Sequence, residues 1–158
     1  MLIISESIIQ EILNAYEETK ILESDFQMLA VEQPIILSFI SKENTELLTE
    51  NEIALLEFLC LVIYQAVKKG TGKTPVVDLE SLEEQDEVSW TLWNNHISKN
   101  ITSAFDHLFE ATHQEDLLAL VEDTLQQDED NDITSVGREI IAVSCFSLIE
   151  TLHKCNRI

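Results

Sequence analysis

Apolar side chains return about once per helical turn along most of this chain. Ile8, Ile9, Ile12, Leu13 and Tyr16 share one face of a helix that the spacing predicts from about Ser5 to Lys20. Ser24 opens the next, because Ser24-Asp25-Phe26-Gln27 has the capping-box pattern, in which hydroxyl and amide side chains each satisfy a free backbone N–H. Pro34 lacks an amide proton and crowds the preceding turn, so it bends this helix before the run Ile35 to Ile40. A second capping box, Thr49 to Glu52, starts a third helix carrying Leu55, Leu56, Leu59, Ile63 and Val67 to Lys69. Lys69 is a cation at a helix C-terminus, where the backbone dipole favours it.

The segment 70–80 reads as a linker, with Gly70, Gly72 and Pro75 as its turn residues. Ser81-Leu82-Glu83-Glu84 then caps a helix through Val88, Leu92, Trp93 and Ile97. A helical region follows from Ser103 through Phe105 and Leu108 to about Leu125, and the last helix runs from Thr134 to about Lys154. The pattern predicts an all-α bundle of about six helices in a single domain over 1–158, the middle helix of each half bent.

The two sides of the linker also resemble each other. Ser24 pairs with Ser103, Phe26 with Phe105, Thr49 with Thr134, Cys60 with Cys145 and Lys69 with Lys154, alongside many apolar positions. Any two amphipathic helices match at apolar positions, since periodicity enforces it. The paired caps, phenylalanines, cysteines and lysines ask for more. We therefore expect an internal duplication of residues 5–69 and 82–154, packed about a pseudo-twofold axis.

Composition agrees with helices: three glycines and two prolines in 158 residues leave little of the turn chemistry that a many-stranded fold needs. Charge narrows the partners. Thirty acidic against nine basic residues give a formal charge of −21, spread over both halves, which repels nucleic acid and anionic membrane and attracts basic proteins. The longest uncharged apolar stretch, Phe58 to Val67, is too short to span a bilayer, and the start of the chain has no secretory pattern. A cytoplasmic chain is expected. Cys60 and Cys145 sit in apolar helical runs, where reduced thiols behave as small hydrophobes.

Four segments carry candidate chemistry. Gly70-Thr71-Gly72-Lys73-Thr74 looks like the end of a phosphate loop, but Val67 stands where the first glycine belongs, and a helix precedes it instead of a strand. No cofactor is expected there. Glu110 with His113 and Glu150 with His153 have the spacing by which helical bundles supply a carboxylate and an imidazole to a dinuclear iron or manganese site. Asp128, Asp130, Asp132 and Glu139 fall at positions 1, 3, 5 and 12 of a calcium-binding loop, although Ile133 replaces its glycine. Glu80, Glu83, Glu84 and Glu87 form an acidic stripe that ends near Trp90, a candidate dock for a basic partner.

No nucleophile, base and orienting group stand together in this sequence. The leading expectation is therefore a non-enzymatic interaction protein, acting as an adaptor, inhibitor or immunity factor would by presenting acid to a basic protein. The metal-carboxylate and calcium readings are the alternatives. Oligomeric state is open, a homodimer included.

Overall fold

Side-chain oxygens set four of the helix starts. The structure, a computed structural model, describes residues 2–41, 46–95, 101–126 and 133–158, the side chains of 101 and 102 aside. Ser5 Oγ accepts from the Ile8 amide and opens α1 (Glu6–Glu18). Next come α2 (Leu22–Glu32) and α3 (Pro34–Ile40). Thr49 and Glu52 complete the expected capping box at the head of α4 (Glu50–Thr71). The second half holds α5 (Leu79–Asn94), α6 (Ile101–Ala111), α7 (Glu115–Gln126) and α8 (Ser135–Cys155), the last capped by Thr134.

Every regular element among the described residues is helical, with eight α-helices where about six helices were expected. Both bent helices are in fact pairs. Pro34 occupies the first position of α3, where its missing N–H has no helical partner to lose, and Gln33 leaves the helical region at φ −137°, ψ 66°. In the second half the chain breaks between Ala111 and Glu115.

Two expected caps are displaced. α2 already begins at Leu22, so Ser24 lies inside its first turn and caps nothing, while Ile21 at the cap position has no side-chain bond to offer. Asp78, three residues ahead of Ser81, accepts from the Ser81 amide at 3.1 Å and caps α5 instead. The linker shortens accordingly. α4 continues past Lys69 to Thr71 and stops at Gly72, whose left-handed φ of 70° suits a residue without Cβ.

α4 and α8 pack together at the centre. From Ile140 to Leu152 every residue of α8 is buried, as expected for a helix apolar nearly all round. Around this pair, α1 packs on α4, α5 and α7 pack on α8, α6 packs on α5, and the halves meet again where α3 lies on α5 and α1 on α7. The buried apolar residues form one cluster to which all eight helices contribute. Burying a Leu or Ile side chain contributes about 1.5–3 kcal/mol, so α8 alone anchors much of this core.

Buried polar groups tie the elements to one another. Gln33 Nε2 donates to the Pro75 carbonyl, fixing the linker against the α2–α3 junction. Gln114 does the same for the start of the chain: its Nε2 donates to Leu2 O at 2.8 Å, and its Oε1 accepts from Ile4 N at 2.8 Å. Among the described residues, no helix is long and apolar enough to cross a membrane.

Candidate functional site

Of the proposed metal ligands, the fold brings three together. His113 lies in the α6–α7 junction, while Glu150 and His153 lie one turn apart on α8. The Glu150 carboxylate, 2% exposed, accepts from Thr112 Oγ1 at 2.6 Å and from the His113 amide at 3.1 Å, and His113 Nδ1 stands 2.8 Å from its other oxygen. The rings of His113 and His153 stack with centroids 4.6 Å apart. Glu110 stays exposed in the last turn of α6. These atoms face one another and not a common point: among the described residues, no group of three His, Cys, Asp or Glu side chains is placed to hold a metal ion. The cluster locks the α6–α7 junction onto α8.

His153 belongs to this lock. Because Gln114 Oε1 faces the Ile4 amide, its Nε2 must face His153 Nδ1, at 3.1 Å, which makes that ring nitrogen an acceptor. Burial first, and then the neighbouring His113, hold the His153 pKa below the ordinary imidazole value.

Of the calcium-loop candidates, Asp128, Asp130 and Asp132 lie outside the described residues. Glu139 projects from α8 towards Trp93, whose indole N–H donates to it at 3.3 Å. Trp93 is buried and meets Phe105 edge-on, with ring centroids 5.6 Å apart. The glycine-rich segment closes α4 instead of opening a helix, so the polarity needed for a phosphate cradle is reversed.

The stripe Glu80, Glu83, Glu84 and Glu87 is exposed along α5, and Trp90 is half-buried against the core. A second acidic feature, missed by sequence reasoning, has the shape of a site. Between α1 and α7 runs a cleft of about 590 Å³, floored by Ile9, Leu13, Tyr16, Phe58, Ala119 and Leu120. Carboxylates edge it: Glu6 and Glu17 from α1, Asp116 and Asp123 from α7. A smaller apolar cleft of about 290 Å³ shares Leu22 and Phe58 with it and continues over α2 and α4 past Phe26 and Leu61, flanked by Glu23 and Glu57. Among the residues lining these two clefts, none is lysine or arginine.

The walls are fixed at both sides. The Glu6 amide donates to Asp116 Oδ2 at 3.1 Å, holding the starts of α1 and α7 together, and the Tyr16 hydroxyl donates to Asp25 Oδ2 at 2.8 Å, holding α1 to α2. Burial, with the bond to Asp25 second, raises the Tyr16 pKa and keeps the phenol neutral. On α7, burial raises the Glu122 pKa, and the nearby Asp123 and Asp106 raise it further. A signal for this groove was present in the sequence: Glu6 and Glu17 are three turns apart, Asp116 and Asp123 two turns, so each pair lines one edge of an apolar stripe. What the sequence could not show is that those stripes face each other.

No protein family, curated protein or solved structure matches the chain. The functional reading therefore rests on the molecule's own geometry and charge.

Proposed function

We propose that this is a non-enzymatic interaction protein of the cytoplasm that binds a basic protein through its acidic surface. The observation that carries the reading is a cleft with an apolar floor whose charged lining is entirely acidic, in a chain of formal charge −21. Apolar area supplies affinity, and the carboxylates supply steering and selection for a cationic surface. The free, buried Cys60 and Cys145 suit a reducing compartment.

Capture from native lysate at about 50 mM and about 500 mM salt tests it, because exposed charges are screened over shorter distances as salt rises. The expected result is a small set of basic proteins, retained at low salt and lost at high salt. Partners that are neither basic nor salt-sensitive would count against the reading.

We further propose that the chain is a tandem duplication, with α1 to α4 answering to α5 to α8 about a pseudo-twofold axis. Four observations support it. Thr49 and Thr134 cap the two long central helices. Cys60 and Cys145 meet where those helices cross. α1 on α7 is answered by α3 on α5. Gln33 reaches the linker ahead of α5 just as Gln114 reaches the segment ahead of α1. In this pairing Ser5 corresponds to Asp78 and Ile9 to Leu82, which shifts the register of the first helix from the one its leucines suggest.

A further inference from the structure

We infer that the α1–α7 groove is the docking site for one basic amphipathic α-helix of a partner protein, an inference that rests on the interaction reading above. Three features select this occupant. From Glu6 to Glu17 the groove follows three turns of α1, about 17 Å at 1.5 Å per residue, the length over which a helix presents anchors at i, i+3 or i+4, and i+7. Its floor is apolar, and its volume of about 590 Å³ has room for several side chains. Carboxylates stand on both long edges, so a helix with an apolar face flanked by Lys or Arg on each side meets complementary charge on both sides.

Other occupants fit less well. A second copy of this chain would bring another −21 against an acidic rim. An extended strand would find no sheet edge to pair with among the described residues, where every regular element is helical. Beside the groove, Leu22 of α2 is exposed, and the apolar surface continues past it over Phe26 and Leu61 in the smaller cleft, where a longer helix could cover it.

The probe is a synthetic peptide of about 18 residues with Leu on one face and Lys along its flanks, about five turns if helical. Two controls accompany it: the same composition scrambled so that no face forms, and the same pattern with Glu for Lys. We expect the patterned peptide to bind one to one, to gain helicity, and to shift the methyl signals of Leu13, Leu22 and Leu120. Glu17→Lys with Asp123→Lys, changes at the rim that leave the apolar floor intact, should weaken binding about tenfold or more, whereas Glu80→Lys with Glu84→Lys on α5 should change it less than about twofold.

Equal binding of the scrambled peptide, or signal changes confined to α5, would overturn the groove assignment. Basic proteins still captured from lysate by the rim variant but lost by the α5 variant would overturn it too, while leaving the broader interaction reading standing. Loss of all salt-sensitive capture by the unaltered protein would remove both.

Discussion

One carboxylate holds two helices. Glu52, buried at 0% exposure, completes the α4 capping box through Oε1 and accepts from both the amide and the hydroxyl of Thr134 through Oε2, at 2.7 and 2.9 Å. Burial alone would raise its pKa, but the bonds from Thr49 and Thr134 together outweigh that and hold it below the ordinary value. Gly137 explains why the arrangement has only one such side chain, since a Cβ there would overlap the Glu52 carboxylate. Gly137→Ala should therefore destabilise the fold by about 2 kcal/mol or more, against the small gain that alanine usually brings to a helix interior. Glu52→Gln should cost about 1–3 kcal/mol near neutral pH. The folded state disfavours protonation of Glu52, so its contribution is complete above the ordinary carboxylate value of 4.5 and disappears as pH falls through the lower folded one. Denaturant titrations of wild type and Glu52→Gln should accordingly converge at acid pH.

The thiols divide by position in the same way. Cys60 and Cys145 are fully buried against each other, and that contact together with burial pushes the Cys145 thiol up. Cys155, at the end of α8, is only half-buried. A maleimide should label Cys155 alone in the native protein and all three after unfolding, as peptide mapping will show.

At the level of elements, what could be read from the sequence and what could not separate by the range of the forces involved. Thr49 and Thr134 were legible as caps because the cap oxygen and the amide that donates to it lie three residues apart, and Lys69 was legible near a helix end because the dipole acts locally. Ser24 misled because its pattern is that of a cap, yet the Asp25 amide already bonds to the Ile21 carbonyl, the helix begins at Leu22, and Tyr16, nine residues back, holds the Asp25 side chain. The groove lay further out of reach, since α1 and α7 are more than a hundred residues apart and their stripes carry no mark of which stripe they will face. Likewise, Glu150 and His153 were noticed for their spacing, but their partners Thr112 and Gln114 became visible only in the fold.

That last contact gives the elements a pH dependence. Gln114 ties the segment before α1 to α7, and it needs His153 Nδ1 as an acceptor. The His153 pKa is lowered on folding, so the unfolded chain takes up the proton first; stability is complete above the ordinary value of 6.5 and declines as pH falls through the folded one. Unfolding measured across this window should show the decline in wild type. His153→Asn, whose amide oxygen accepts without titrating, should lose it while leaving the Glu52 contribution at lower pH intact.

For the molecule as a whole, the order of the two halves is a matter of connection more than of packing. Leu2 and Ile158 line one cleft with Gly70, Lys73 and Val76, so the chain ends and the linker lie at the same pole. Asn156 reinforces that pole by accepting from the Val76 amide at 2.7 Å and donating back to its carbonyl at 3.0 Å. If four helices answer to four, a permuted chain that begins at Lys73, joins 158 to 1 through a short Gly-Ser linker and ends at Gly72 should rebuild the same core. The cut falls after the left-handed Gly72, where α4 has already ended, and ahead of the carbonyl of Pro75 that Gln33 holds. Closing a slightly longer loop costs only a few tenths of a kcal/mol, so we expect the permutant to keep its helical circular dichroism and to unfold in one transition within about 2 kcal/mol of wild type. A permutant that stays unfolded would mean that α4 must be joined directly to α5 for α8 to find its place, and the equivalence of the two halves would fail with it.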